Sequence, residues 1–271
     1  MSAEITSRKN ELLQDFLRLS SNAAFRRKTN RFAVEGARLC ADASSSGINI
    51  LALFYTPEAQ KKYVAYLEPV KKAAQKEYTI SASAAQYISG TKTPQGIFCI
   101  CAMPEEKLSA PPQPGKKHLL VLENMQDPAN MGAVFRTAEA LGIEEVFLGG
   151  TCCDVFSPKV LRASMGAVFR LPLCHCAEAP EIIKKLNGFG VATLAAVPDS
   201  TAVPVTKINF ASSCAAVIGN EGNGLTEEAI KACSVRTTIP MLGRAESLNA
   251  AASAAILMWE MVRSSAGGEN L

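Results

Sequence analysis

Short apolar runs alternate with helical segments through the second half of the chain. The pattern predicts strands at residues 119–122, 146–148, 191–195, 215–218 and 237–239. Strands that are apolar throughout and separated by helices form parallel sheets with helices on both faces. We therefore predict an α/β domain, in which a ligand would bind beyond the carboxyl ends of the strands.

The first part of the chain has a mixed α/β pattern. Ser7 is placed to cap a helix that carries one apolar face. The apolar side chains of that face are Leu12, Leu13, Phe16, Leu17 and Leu19. Pro57, a favoured first-turn residue, begins another helix. The remaining predicted elements are a helix at residues 36–44 and strands at 32–34, 50–55 and 96–101.

A proline-rich and charged stretch separates the two patterns. It contains Pro104, Pro111, Pro112 and Pro114. Proline-dense segments do not continue helices or central strands. We therefore predict an N-terminal α/β domain at residues 1–103, a linker at 104–117 and a C-terminal α/β domain at 118–271.

Composition excludes some classes of protein. The 271 residues are 48% hydrophobic and 20% charged, which is ordinary for a globular protein. No apolar run approaches the roughly 18 residues that a membrane span needs. The N-terminal residues lack the apolar core of a signal peptide. We expect a cytoplasmic protein with no membrane segment.

The net charge of +3 hides an asymmetry between the two halves. Residues 1–117 carry 17 Lys and Arg against 10 Asp and Glu, a net of +7, and the remainder carries 11 against 15, a net of −4. A basic half favours a polyanionic partner such as RNA. The candidate contacts are Arg26, Arg27, Lys28 and Arg31. The alternative is a solvated charged surface, and charge alone favours neither.

The nine cysteines show no metal-binding or disulfide pattern. Their number is odd, and no C-x-x-C pair occurs. We expect no metal site, and buried thiols in a reducing compartment. Cys174, His175 and Cys176 form the one cluster with ligand-type residues close together, and we expect it to be structural.

The first segment with candidate catalytic residues follows the first predicted strand of the C-terminal domain. Asp127 is placed to cap a helix that Gly142 ends. Asn130 would lie at the mouth of this helix. Arg136 is long and leans back toward the same end, so both could reach one site. The alternative is a helix cap and a surface arginine.

Two further segments follow later strands. Residues 219–224 contain three glycines and Glu221, and glycines allow the backbone to approach a ligand closely. Residues 239–249 lead into an alanine-rich helix that ends near Arg263 and that Ser247 or Asn249 would cap. The alternatives are an ordinary turn and an ordinary helix with Trp259 in the core.

Together and in this order, the three segments resemble the signature motifs of the SpoU (TrmH-type) RNA methyltransferases. The pattern N-x-G-x-x-x-R-T-A matches residues 130–138, G-N-E-G matches 219–222, and I-P-M-x-G-x-x-x-S-L-N matches 239–249. Residues 157–167 resemble another family segment. The resemblance spans roughly residues 118–263. It departs at Ala250 and Ala251, where the family often has Val-Ser.

The resemblance implies a SPOUT fold, in which the C-terminal chain forms a trefoil knot, and a homodimer with its sites at the interface. It implies that S-adenosyl-L-methionine binds in the knot. The matching cofactor-binding positions are Gly219, Ile239, Met241, Leu248 and Asn249. Residues 32–36 resemble the family's substrate-binding domain.

The implied reaction is methylation of a ribose 2′-hydroxyl in RNA, with ribosomal RNA favoured. The family nominates Arg136 as the activating residue, but a guanidinium has a pKa above about 12 and scarcely deprotonates. We expect Arg136 to bind phosphate and stabilise the developing oxyanion. The expected orienting residues are Asn130, Glu221, Ser247 and Asn249. Alternatives are a tRNA substrate, a small-molecule methyltransferase, or a catalytically silent RNA-binding or ribosome-assembly protein.

Overall fold

The computed structural model describes residues 3–104, 107–108, 117–210 and 212–266. Packing divides the chain into two compact units. Unit 1 comprises Met1–Glu105 and Asp154–Phe169, and unit 2 comprises Glu106–Cys153 and Arg170–Leu271. Most of the expected linker at 104–117 lies outside the described residues, so the proposed domain boundary stays a prediction.

Strands occur in both units. They are β1 (Ala3–Ile5), β2 (Arg31–Glu35), β3 (Ile50–Tyr55), β4 (Glu77–Ile80), β5 (Ile97–Ala102), β6 (Lys107–Leu108), β7 (His118–Glu123), β8 (Glu145–Gly149), β9 (Leu173–Cys176), β10 (Ala192–Ala196), β11 (Val203–Pro204), β12 (Cys214–Ile218) and β13 (Val235–Thr238).

Helices separate most of these strands. They are α1 (Glu11–Ser21), α2 (Ala23–Thr29), α3 (Ala37–Ser45), α4 (Pro57–Lys62), α5 (Val64–Ala73), α6 (Ala82–Ile88), α7 (Pro128–Ala140), α8 (Pro158–Ser164), α9 (Ala179–Gly188), α10 (Glu227–Ala232) and α11 (Ala250–Ala266), with 3₁₀ turns at Ala167–Phe169 and Val205–Lys207.

The first helix begins later than its sequence suggests. Asn10, not Ser7, caps α1, because the Asn10 side chain accepts a hydrogen bond from the Leu12 N–H at 3.0 Å. The Ser7 hydroxyl instead accepts from the Lys9 N–H in the preceding turn. The predicted apolar face is confirmed, since Phe16 is buried and packs edge-on against Phe98, with ring centroids 5.4 Å apart.

Unit 1 is built on a mixed sheet with strand order β1-β4-β3-β5-β2. Strands β1, β4 and β3 are parallel, and β5 runs antiparallel to β3 and β2. Phe32 of β2 contacts Phe156 and Phe169, with ring centroids 4.6 and 6.1 Å apart. These aromatic contacts explain why Asp154–Phe169 belongs to unit 1 by packing, although it lies far along the chain.

Arg26 is not available to RNA, contrary to the sequence-based expectation. It is only 4% exposed and forms an ion pair of 2.7 Å with Asp154. Its guanidinium also donates to the Leu19 carbonyl oxygen at 2.6 Å. A charge buried this deeply needs such partners. Basic side chains close together in sequence therefore serve different purposes, because Arg27 and Lys28 on the same helix are exposed.

Unit 2 contains the predicted parallel sheet. Its strand order is β11-β13-β10-β12-β7-β8-β9-β6, and every pairing is parallel. All five predicted strands overlap β7, β8, β10, β12 and β13. The sequence pattern missed β6, β9 and β11, which are short and lie toward the sheet edges.

Helices cover both faces of this sheet. Leu119 and Val121 of β7 share a core cluster with Ile182 of α9 and Ala229 of α10. Leu120 and its alternate neighbours face the other side, where α11 contacts β7 and β12 and packs against α7. This arrangement confirms the predicted α/β architecture. Within the described ranges, no helix is long and apolar enough to span a membrane.

The Cys174-His175-Cys176 cluster divides across strand β9. Cys174 belongs to the core cluster beneath α9, and Cys176 packs against it. Strand alternation turns His175 to the opposite face, so the three side chains do not converge. Burial, together with the neighbouring thiols of Cys174 and Cys152, raises the pKa of the Cys176 thiol to about 12. Among described residues, no group of three or more His, Cys, Asp or Glu could hold a metal ion.

We predict that Arg26→Ala lowers the free energy of unfolding by about 3 kcal/mol, because it leaves the Asp154 carboxylate without its partner. Denaturant unfolding measures the change. Arg27→Ala is the matched control, and a change within about 0.5 kcal/mol is expected for this exposed side chain. Equal stability of the two variants would contradict the structural role of Arg26.

Candidate active site

The three motif segments meet at the carboxyl ends of adjacent parallel strands. The glycine-rich loop follows β12, the first motif follows β7, and β7 and β12 are neighbours in the sheet. The third motif leads into α11, which packs against both β12 and α7. Segments that are distant in sequence are therefore brought to one edge of the sheet.

Glu221 connects the first two motifs. Its carboxylate accepts hydrogen bonds from the backbone N–H groups of Gln126 at 3.2 Å and Asp127 at 3.0 Å. Partial burial would raise its pKa, but hydrogen bonds from its own N–H, from Asp127 and from Gln126 outweigh burial and lower it. The side chain is therefore a carboxylate at neutral pH.

Asn130 and Asn249 extend this connection to the third motif. The Asn130 side-chain amide nitrogen donates to Glu221 at 3.2 Å, and the Asn130 side-chain oxygen accepts from the Asn249 side-chain amide nitrogen at 2.9 Å. The Asn249 side-chain oxygen accepts from the N–H groups of Ala251 and Ala252, so Asn249 rather than Ser247 caps α11. Asp127 caps α7 as predicted, accepting from the Ala129 N–H at 2.8 Å. We call Glu221, Asn130 and Asn249 the polar network.

The loop after β12 is folded tightly upon itself. The N–H and carbonyl groups of Asn220 and Gly224 are mutually hydrogen bonded, at 2.9 and 3.0 Å. The Asn220 side-chain oxygen also accepts from the N–H groups of Gly222 and Asn223. A Cβ atom at Gly219 would lie 2.2 Å from the carbonyl carbon of Gly224. The chain therefore needs glycine at position 219 because no side-chain atom fits there.

A cavity of about 470 Å³ lies beside this loop. Four of the five expected cofactor positions line it, namely Gly219, Ile239, Met241 and Leu248. Asn249 does not line it and caps α11 instead. Ser247 and Glu221 also line the cavity, so it adjoins the polar network.

Two charged residues of the cavity wall were not predicted from the sequence. Asp199 follows β10 and forms an ion pair with Arg236 of β13. Hydrogen bonds from the N–H and hydroxyl groups of Thr201 lower the pKa of Asp199. A sequence signal existed, since Asp199-Ser200-Thr201 is typical of a side-chain-stabilised turn.

Glu123 is a second functional candidate that the sequence analysis missed. It ends β7, is 3% exposed, and accepts hydrogen bonds from the N–H and hydroxyl groups of Thr226, both at 2.8 Å. Thr226 in turn caps α10. The buried carboxylate therefore fixes the point at which the glycine-rich loop returns to a helix.

Arg136 is not joined to the polar network. It is exposed on α7 and forms no hydrogen bond or ion pair with any residue that the structure describes. Asn130 and Arg136 are six residues apart, which places them on different sides of a helix. The expectation that both reach one site within a single chain is not met by these contacts.

Comparison with known proteins identifies the class. The SpoU rRNA Methylase family matches residues 117–259, and the MRM3-like substrate binding domain matches residues 10–99. The family match covers more than half of the chain, so this chain belongs to the SpoU rRNA methylase family.

Particular members of the family resemble this chain over nearly its full length. The 23S rRNA (guanosine(2553)-2′-O)-methyltransferase RlmP of Bacillus subtilis is 31% identical over 95% of this chain and 98% of its own. The structure of an AdoMet-bound rRNA methyltransferase from Sinorhizobium meliloti is 28% identical, covers 97% of this chain and 98% of its own, and superposes with a TM-score of 0.85. A structure of an RNA 2′-O ribose methyltransferase is 30% identical, with a TM-score of 0.79 over 96% of this chain and 98% of its own.

We predict that Gly219→Ala weakens binding of S-adenosylmethionine about tenfold or more. The added methyl group must displace the backbone of Gly224, which lines the cofactor cavity, and a loss of about 1.4 kcal/mol of binding free energy lowers the affinity tenfold. Isothermal titration calorimetry measures the affinity.

Gly222→Ala is the control within the same loop. A Cβ atom there would approach only the Asn220 side-chain oxygen, at 3.5 Å, which is an ordinary contact. We expect its affinity to stay within about threefold of wild type. Equal losses in both variants would mean that the close backbone approach at Gly219 is irrelevant to binding.

Proposed function

We propose that this protein is an S-adenosylmethionine-dependent RNA methyltransferase that methylates a ribose 2′-hydroxyl in ribosomal RNA. The observation that carries the proposal is the polar network, which joins all three family motifs beside a cavity of suitable size. Family membership, the names of the relatives and the basic N-terminal part of the chain support it. A tRNA substrate is the second candidate within the same chemistry.

The cavity suits S-adenosylmethionine. Gly219 presents backbone without a side chain, Ile239 and Leu248 offer apolar contact, and Met241 lies on the same wall. Asn249 acts indirectly by holding the start of α11 and the Asn130 amide. The bound cofactor supplies an electrophilic methyl group. The volume of the cavity, about 470 Å³, is large enough for a nucleoside with an amino-acid tail.

The polar network orients the groups around the reacting hydroxyl. The Glu221 carboxylate fixes the Asn130 amide, so that Asn130 presents a defined edge to substrate. Ser247 lies on the cavity wall with its hydroxyl available for a substrate oxygen. Arg136 binds the phosphate beside the target ribose and stabilises the negative charge that develops on the hydroxyl oxygen as it takes up the methyl group and releases its proton to water. Positioning supplies much of the rate.

RNA contacts in unit 1 are fewer than the sequence suggests. Arg27 and Lys28 are exposed on α2 and remain candidates for phosphate contact. Arg31 forms an ion pair with Asp15 at 3.1 Å, with both side chains 27% exposed, so its charge is partly neutralised. We assign the phosphate contacts to Arg27 and Lys28, with Arg31 as a secondary contact.

A homodimer would complete the site. Exposed residues at helical spacing form one face of α7, and Arg136 lies among the alanines of that face at positions 129, 133 and 140. On α11, which packs against α7, Ile256 and Trp259 are 36% and 46% exposed, so Trp259 does not fill the core. A second copy that covered both Trp259 and this face of α7 would place Arg136 in an interface, which would give the isolated arginine a place in catalysis.

We predict that the wild-type protein has a mass near twice 28.8 kDa in solution and that Trp259→Glu shifts it to the monomer. A carboxylate at the centre of an apolar interface is desolvated without a partner. Light scattering after size exclusion measures the mass. Phe189→Glu, which alters another exposed aromatic residue (58%), is the control and should leave the dimer intact. A monomeric wild-type protein would refute the dimer.

Two further features belong to the proposal, a trefoil knot and a cytoplasmic location. The trefoil knot is supported by the path of the chain, which leaves β13, beyond β10, and returns in α11 to contact β12 and β7. A cytoplasmic location is supported by the absence of disulfides among the nine cysteines, all of which are described. The proposed ribosomal RNA substrate also favours a cytoplasmic location, which fractionation of cells would test.

Ribose-methylation mapping of total RNA tests the function directly. We predict that cells without this gene lose one 2′-O-methyl mark in ribosomal RNA and that the wild-type gene restores it. We predict that Arg136→Lys restores it about ten- to a hundredfold more slowly, because an ammonium cannot reproduce the two-pronged guanidinium contact.

Arg170→Lys is the matched control, since Arg170 is exposed and pairs with Glu139 on the surface. It should restore the mark at the wild-type rate. A lost tRNA mark would change the substrate and keep the chemistry. No lost mark in either RNA, from a protein that still binds the cofactor, would favour a silent RNA-binding protein. Full activity of Arg136→Lys would exclude the phosphate contact.

A further inference from the structure

A second cavity, of about 330 Å³, lies at the carboxyl ends of β7, β8 and β12. It is bordered by the glycine-rich loop, which also borders the cofactor cavity. Its wall contains amide, hydroxyl and apolar groups but no Asp, Glu, Lys or Arg. The lining residues are Asn124, Gln126, Thr151, Asn220, Asn223, Gly224, Leu225 and Thr226.

Asn124 holds this second cavity together. It has a left-handed backbone with a φ of 53°, and its side-chain oxygen accepts from the Thr151 N–H at 2.8 Å. A Cβ atom at Gly150 would lie 2.3 Å from that oxygen, so glycine is required for the approach. The Asn124 carbonyl oxygen accepts from the Asn220 amide at 2.8 Å. One residue therefore ties together the loops that follow three neighbouring strands.

Several hydrogen-bonding groups of the cavity have no partner among the residues that the structure describes. They are the Asn124 amide nitrogen, the Gln126 side-chain oxygen and both ends of the Asn223 side chain. The Gln126 amide nitrogen donates to the Thr151 carbonyl oxygen, which leaves its oxygen as an acceptor. The wall thus presents donors and acceptors that are open to a ligand, without a charged side chain among the lining residues.

We propose that this second cavity binds a nucleobase of the RNA substrate, at or next to the methylated nucleotide. This inference rests on the proposed function. A nucleobase is neutral and planar, and it carries donors and acceptors along one edge that side-chain amides pair with. A cationic side chain favours phosphate binding, and the lining residues supply none. Single-stranded bases are commonly recognised at such edges.

The position of the cavity fits this role. Asn220, Asn223, Gly224 and Leu225 border both cavities, so the loop that contains Glu221 separates a base in one from the cofactor in the other. The ribose attached to that base would then lie close to the polar network. Gln126 lines only the second cavity, so its side-chain oxygen acts on the choice of nucleotide and not on the cofactor.

The side-chain amide NMR signals of the full-length protein test this inference without turnover. The four nucleoside 5′-monophosphates are titrated separately while the cofactor cavity is saturated with S-adenosylmethionine. We expect one base to shift the signals of Asn124, Gln126 and Asn223, and ribose 5-phosphate to leave them unchanged. Gln126→Leu should weaken that binding about five- to tenfold, since one hydrogen bond is lost. Gln60→Leu, at an exposed position of α4, should leave it unchanged.

Methylation assays separate this inference from the proposed function. Gln126→Leu should raise the KM for RNA and leave the affinity for S-adenosylmethionine unchanged. If the wild-type protein methylates RNA while no base shifts the three amides and Gln126→Leu keeps the wild-type KM, the nucleobase site is overturned and the function stands. If a base shifts the amides but no RNA is methylated, the binding site stands and the proposed function fails.

Discussion

The rest of the site depends on the hydrogen bonds that the Glu221 carboxylate accepts. The carboxylate lies on the loop after β12 and accepts hydrogen bonds from the backbone that connects β7 to α7. Hydrogen bonds to an ionised acceptor are stronger than those between neutral groups. Glu221 orients Asn130, and Asn130 in turn holds Asn249, which caps α11. The position of the start of α11 therefore also depends on the Glu221 carboxylate. Two loops and two helices are thus registered against one another by a single side chain.

Much of the fold could be predicted because local rules and global packing agree. The apolar runs of β7, β8 and β12 are buried on both faces, and such strands carry their own signal. Asp127 and Pro128 begin α7 where the capping rules place them. The prediction failed where partners lie far away in the sequence. Nothing near Arg26 indicates that Asp154 neutralises it, because the two residues are 128 positions apart.

The candidate site shows the same division. Residue types and spacing nominated Asn130, Glu221 and Asn249, and the structure places them in one hydrogen-bonded series. The motifs gave no information about which groups bond to which, since these pairs are 91 and 119 residues apart. Glu123 was missed because a carboxylate at the end of an apolar strand has no local signature. Its importance is visible only from its burial and its bonds to Thr226.

The packing of Asp154–Phe169 in unit 1 has a consequence for how such a chain can be divided. The aromatic partners of Phe32 and the anionic partner of Arg26 are encoded within the region that carries the methyltransferase motifs. A gene fragment that ends at Glu105 would lack these partners. The ring of Phe32 would then be exposed, and Arg26 would lose its ion pair. Exchange of unit 1 between relatives therefore requires three coordinated crossovers, after residues 105, 153 and 169, so recombination would tend to transfer the whole chain together.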